Sequence, residues 1–234
     1  MKLQVIIALS LVLFVSQVSA EEKLMLKDQK DKVSYSIGTN IGNNFKKQSM
    51  DINPDALMQG IKDALSGEKA LMTEQEMNET MKAFQQEMMT KQAELAKIIG
   101  EKNKTEGDLF LAENKKKEGV ITLSSGLQYK VINEGSGTIP TLTDKVIVHY
   151  RGTLIDGTEF DSSYRRGQPV TFPVNGIIAG WKEALQLMKA GSKWQLFIPP
   201  TLAYGERGAG RTIGPNATLI FDIELLSLEE GAKP

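Results

Sequence analysis

The chain has 234 residues, with 28 Lys and Arg against 29 Asp and Glu, one His and no Cys. That length holds one or two domains of ~100–200 residues, and the near-neutral charge offers no basic patch with which to grip nucleic acid. Without Cys there are no disulfides, thiolate metal sites or Cys nucleophile, and a single His forms no metal cluster, so no cofactor or metal is expected.

The N-terminus opens with Lys2, an almost wholly apolar run from Leu3 to Val15, and then Val18-Ser19-Ala20 before Glu21. This is the n-region, h-region and cleavage site of a signal peptide. The run is shorter than the roughly 20 apolar residues a membrane span needs. Residues 1–20 are therefore expected to be removed near Ala20, leaving an exported protein. In an oxidising compartment a chain without Cys avoids mispairing, and its stability must come from packing.

Residues 21–72 read as helical. Val33, Ile37, Ile41 and Phe45 recur every four residues and share one face. Asn53-Pro54 reads as an N-cap followed by Pro at the first helical position, Leu57, Ile61 and Leu65 form the next stripe, and Gly67 is a stop. Two short helices with one apolar stripe each must pack on each other or on another copy.

Residues 73–118 read as one long helix. Thr73 and Glu76 form a capping box, with Met72 and Met77 placed for a hydrophobic staple. Apolar positions then follow at 77, 81, 84, 88, 95 and 98, a 3.5-residue period that makes a short seam for a partner helix. Past Gly100 the stripe disappears into polar residues and Gly107. Either the helix breaks near Gly100–Gly107 and folds back, or it stands free as a stalk; the lack of Pro in this stretch favours the stalk. Lys115 to Lys117 suit a helix C-terminus, and Gly119 suits a left-handed cap.

From residue 120 the period changes to two, and the last domain is taken as 119–234. Strands are expected at 127–132, 146–150, 158–163, 170–174, 192–198 and 218–226, with a hairpin turn at Asp156-Gly157 and one short helix at Trp181–Met188. Pro173 marks 170–174 as an edge strand. The fold class is α+β: an antiparallel sheet wrapped on one short helix, preceded by an all-α module.

Particular residue strings in this half carry a resemblance. Val148-His149-Tyr150-Arg151-Gly152-Thr153-Leu154, then Asp156-Gly157, then Phe160-Asp161-Ser162-Ser163 is similar to the FK506-binding protein (FKBP) family of peptidyl-prolyl isomerases. Gly180-Trp181 with Ala184-Leu185, Ile198-Pro199-Pro200, Leu202-Ala203-Tyr204-Gly205 and the run Ile213 to Leu225 follow in family order. Val33-Ser34-Tyr35-Ser36-Ile37-Gly38, Asn53-Pro54-Asp55-Ala56-Leu57 and the long helix resemble the macrophage infectivity potentiator (Mip) and FkpA type of exported bacterial FKBP.

The resemblance implies a catalytic set of Asp161, Tyr204, Phe160 and Trp181, and a substrate-binding set of Tyr150, Arg166, Ile177, Ile178, Ile213 and Phe221. Trp181 would floor an apolar pocket, Tyr204 and the Ile178 N–H would donate to substrate carbonyls, and Asp161 would fix Tyr150 and Arg166. Val170 and Ala209 depart from the Phe and His of the human prototype, both at the rim, and the segment from Phe172 to Trp181 is two residues shorter. His149 is assigned no role.

The chemistry suits the composition. Rotation about X-Pro faces a barrier of ~18–20 kcal/mol from amide resonance, and lowering it requires neither nucleophile, metal nor general base. The implied partners are proline-containing unfolded or partly folded clients, macrolide inhibitors such as FK506, and a second copy joined through residues 21–90. The implied location is the periplasm, outer membrane or cell surface of a Gram-negative bacterium. Two other readings stay open: a holding chaperone with a client-binding N-terminal cleft, and a surface adhesion or virulence factor.

Overall fold

The structure is a computed structural model describing residues 25–229, which divide into two compact units at Glu74/Gln75. The expected signal peptide, 1–20, lies outside the described residues. Among the described residues no helix is long and apolar enough to cross a membrane.

The first unit holds α1 (Gln29–Lys47) and α2 (Pro54–Ser66). Asp28 caps α1 by accepting from the Asp31 N–H at 2.9 Å. Asn53 caps α2, accepting from the N–H groups of Asp55 and Ala56 at 2.9 and 3.2 Å, and Gly67 closes it at φ +71°. The helices begin and end where local chemistry predicts. Their apolar stripes do not become a core: Val33, Ile37, Leu57 and Ile61 are exposed, and Leu65 is 84% exposed. Of the two partners foreseen for these stripes, the unit itself does not supply one.

All but the first residue of α3 (Glu74–Asn114) belongs to the second unit, and the helix is unbroken through Gly100 and Gly107. The expectation of a free-standing polar middle is corrected here. Gly100, Asn103, Gly107, Phe110 and Asn114 recur in steps of three and four and form the face that packs on the rest of the unit. A Cβ on Gly107 would lie 2.4 Å from Thr218 Oγ1. Phe110 meets Phe197 with ring centroids 5.9 Å apart. Small residues allow backbone approach where an apolar stripe is absent.

The helix also ends at Asn114, short of the expected 118, and the three lysines lie beyond it. A tertiary contact sets this end. Buried Asn114 donates to Gln128 Oε1 at 3.0 Å, while Gln128 Nε2 donates at 2.9 Å to the Leu111 carbonyl, which also accepts from the Lys115 N–H.

Seven antiparallel strands follow: β1 (Val120–Thr122), β2 (Gln128–Asn133), β3 (Lys145–Leu154), β4 (Glu159–Ser162), β5 (Val170–Pro173), β6 (Lys193–Ile198) and β7 (Leu219–Leu228). Their order is β1-β2-β6-β7-β3-β4, with β5 also on β3. Long β3 is paired by β5 along Lys145–Val148 and by β4 along Arg151–Thr153, so two short strands share one edge. β1 was not foreseen. The sheet wraps α4 (Ala179–Leu185), which starts before Trp181 and stops before Met188. Leu127, Val146, Val148, Leu185, Met188, Leu196, Ile198, Leu219, Ile223 and Leu225 are fully buried between them.

Candidate active site

The side chains that alternate inward on β3 and β7 bring Tyr150 and Phe221 to one end of this core, and α4 sets Trp181 between them. Trp181 is 4% exposed. Tyr150, Phe172 and Phe221 each meet its ring edge-on, with centroids 5.2, 5.9 and 5.2 Å away and planes 84–86° apart. Phe160 meets Phe221 the same way at 5.4 Å. Such T-shaped pairs suit the aromatic quadrupole and fix the rings. Gly152 makes the Phe160–Phe221 pair possible, since a Cβ there would come within 2.5 Å of Phe160 and 2.8 Å of Phe221.

These rings floor a cleft of about 700 Å³. Ile177 and Ile178 line it ahead of α4, Asp161 on β4, Tyr204 after β6, and Ala209 to Ile213 on the loop before β7. The Ile178 carbonyl accepts from the Trp181 and Lys182 N–H groups and so begins α4. Among the described residues, neither the Ile178 N–H nor the Tyr204 hydroxyl has a hydrogen-bond partner, and Tyr204 is 40% exposed. The Trp181 Nε1–H is buried without an acceptor.

One polar network borders the cleft. Tyr150 OH donates to Asp161 Oδ2 at 2.5 Å, the Ser162 N–H donates to Asp161 Oδ1 at 2.8 Å, and Arg166 Nη1 donates to the same Oδ1. Arg166 Nη2 donates to Tyr150 OH at 2.7 Å, and the guanidinium lies 5.5 Å from the Tyr150 ring centroid. Burial pushes the Asp161 carboxyl up, but the bonds from Tyr150 and Arg166 and the charge of Arg166 outweigh it and hold the group below its usual range. Burial and Asp161 together push the Tyr150 phenol up against the opposing Arg166. Asp161 is thus an ionised acceptor, bonded on both oxygens, rather than a proton donor.

The structure therefore gathers nine of the ten expected residues around one cleft: Tyr150, Phe160, Asp161, Ile177, Ile178, Trp181, Tyr204, Ile213 and Phe221. Arg166 stands outside the lining and acts on it through Asp161 and Tyr150. Phe172 was missed, although its place two residues after Val170 on one face of a strand could have found it. Of the two expected rim residues, Ala209 lines the cleft and Val170 packs half-buried against the core instead. His149 faces elsewhere, with Nδ1 2.9 Å from Ser163 Oγ and its ring stacked on Tyr164.

Residues 30–131 match the family model of the domain amino terminal to FKBP-type peptidyl-prolyl isomerase, and residues 137–226 match that of FKBP-type peptidyl-prolyl cis-trans isomerase. The chain is 50% identical over 214 residues to the outer membrane protein MIP of Legionella longbeachae, covering 92% of each. It is 46% identical over 205 residues to the peptidyl-prolyl cis-trans isomerase Mip of Coxiella burnetii, covering 88% of this chain and 89% of that one. The crystal structure of FkpA from Escherichia coli is similar at a TM-score of 0.67 and 37% identity, over 88% of this chain and 99% of that one. The chain accordingly belongs to the FKBP-type peptidyl-prolyl cis-trans isomerases of the Mip/FkpA type, and its activity is the isomerisation of the bond preceding proline.

Proposed function

We propose that the cleft over Trp181 is where this isomerisation takes place. The observation that supports it best is the pairing of an aromatic floor with two unpartnered donors, the Tyr204 hydroxyl and the Ile178 N–H, beside one engaged carboxylate. A planar X-Pro amide is dipolar through resonance. Twisting it breaks conjugation, leaves the carbonyl less polar and lets the nitrogen pyramidalise. The Trp181 floor with Phe160 and Phe221 around it favours the less dipolar twisted state. Tyr204 and the Ile178 N–H hold the peptide carbonyls on either side, so that binding energy is greatest in the twisted geometry. Asp161 fixes Tyr150 and Arg166 and presents its negative edge to the rotating group.

The test is turnover of an Xaa-Pro peptide by the full chain. Tyr204→Phe is expected to lower kcat/KM about 10-fold, the scale of one hydrogen bond. Asp161→Leu is expected to lower it further, with the near-ultraviolet circular dichroism unchanged. Both activities at wild-type level would place the reaction elsewhere. FK506 is expected to compete with the peptide.

The residues named in the first unit are read as a dimerisation surface. Exposed stripes on α1 and α2, and the seam of α3 at Met77 and Met81, form amphipathic faces with bare apolar sides. A dimer through residues 21–90 lets two pockets engage one unfolded client at once and raises its effective concentration. Light scattering is expected to give twice the chain mass, falling to one on joint Ile37→Asp and Ile41→Asp substitution. The domain arrangement follows: signal peptide 1–20, helical dimerisation domain 21–72, connecting segment 73–118, helical as far as Asn114, and isomerase domain 119–234. With the signal peptide removed, the enzyme serves exported proteins in the Gram-negative envelope.

The same bare stripes favour a second reading, a holding chaperone. The Asp161→Leu chain separates the two: suppression of client aggregation that survives loss of turnover supports the chaperone.

A further inference from the structure

Helix α3 touches the cleft at one remove. The loop between β6 and β7 has a tip and a base. At the tip, Ala209 and Ile213 exchange backbone hydrogen bonds of 2.8 and 3.2 Å, and this tip lines the cleft. The base rests on α3. Asn103 Nδ2 donates to the Pro215 carbonyl at 2.8 Å, and Asn216 Nδ2 reaches the Gly100 carbonyl at 3.4 Å.

The contact has no slack. A Cβ on Gly214 would lie 3.1 Å from Asn103 Nδ2 and 3.2 Å from Ile99 Cγ2, and a Cβ on Gly100 would lie 3.2 Å from Pro215 Cβ. Asn216 sits in the left-handed region at φ 54°, with its N–H bonded to the Gly205 carbonyl at 2.8 Å. Pro215 fixes its own φ. Only Gly214 separates Pro215 from Ile213, and its backbone is held against Asn103 and Ile99; Ile213 itself is 9% exposed and packed in the core cluster.

We infer that Asn103, on the helix and outside the cleft, is a positioning residue for the isomerase. Through the Pro215 carbonyl it sets where the loop holds Ile213 over the bound proline. This rests on the cleft being the site of turnover.

The experiment is steady-state kinetics with an Xaa-Pro peptide on the full chain carrying Asn103→Ala, Ile213→Ala or both. Asn103→Ala keeps a strong helix former in α3. It is expected to raise KM about 2- to 10-fold, the span of one neutral hydrogen bond, with kcat nearly unchanged. In the Ile213→Ala background the same substitution is expected to do little, because residues acting through one another are not additive. Three results overturn the inference: an unchanged KM in Asn103→Ala, full additivity with Ile213→Ala, or a fall in kcat that tracks lost folded protein. If Ile213→Ala itself leaves KM unchanged, the reading of the cleft falls and this inference with it.

Discussion

The two units of this chain use apolar residues in opposite ways. In the isomerase unit the inward positions of the strands vanish from solvent, and Leu196, Ile198, Leu219 and Leu225 are all at 0% exposure. In the N-terminal unit the helices are equally well patterned and better capped, yet Ile37 is 55% exposed and Leu65 84%. Patterning and capping determine that a helix forms. They do not determine what it packs on. A sheet bends round α4 and finds its core within one chain, whereas two short helices with one stripe each are left with faces for something else.

The sharpest way to break this comparison is to truncate one apolar residue in each unit. Leu196→Ala is expected to cost about 2–5 kcal/mol, from lost transfer energy and the cavity left behind. Ile37→Ala is expected to leave the isomerase unit's stability unchanged. Both tryptophans, Trp181 and Trp194, lie in the isomerase unit, so denaturant titration followed by Trp fluorescence reads that unit selectively. A comparable loss in both variants would mean that the stripe of α1 contributes to the stability of the sheet.

A smaller effect is expected where α3 packs on the rest of the isomerase unit. Gly107→Ala replaces a poor helix former by the best one, but its methyl would collide with Thr218 Oγ1 at 2.4 Å. Such overpacking typically costs ~1–3 kcal/mol. The helix should therefore gain propensity while the isomerase unit loses stability in the same titration. A net stabilisation would show that α3 lifts from the sheet without penalty.

This contact face is also where the sequence was least legible. The caps at Asn53 and Gly67 were readable because each is a local interaction between neighbours. The strands around Tyr150 and Phe221 were readable because period-two alternation survives in a half-buried sheet. The face of α3 was not, because Gly100, Asn103 and Gly107 present no apolar signal; the glycines pack by permitting close backbone approach and Asn103 by a hydrogen bond. The early end at Asn114 was hidden for a related reason, since its partner Gln128 lies on β2 and no local pattern announces it. At the cleft, resemblance placed the residues that physical patterning alone would have left as core aromatics. It overlooked Phe172, whose edge meets Trp181, and gave its neighbour Val170 a place at the rim that the shorter side chain does not take.

The smallest predicted effect tests whether the isomerase unit alone responds to alkali. Tyr164 OH donates to Glu224 Oε2 at 3.0 Å, and its ring stacks on His149 with centroids 4.6 Å apart. Burial first, and then the Glu224 carboxylate, push its phenol up to about 12. An unfolded tyrosine titrates near ~10. The folded chain thus holds this proton longer than the unfolded one, so the contribution to stability is complete below about pH 10 and is lost as pH rises toward 12. Tyr164 is 44% exposed, which keeps the loss small. Tyr164→Phe removes the titrating group and should flatten the alkaline decline seen by Trp fluorescence. A residual slope is expected from Tyr150, whose phenol is raised in the same direction. An unchanged alkaline slope in Tyr164→Phe would mean that titration of Tyr164 does not contribute to the decline, which would then come from other groups of the unit.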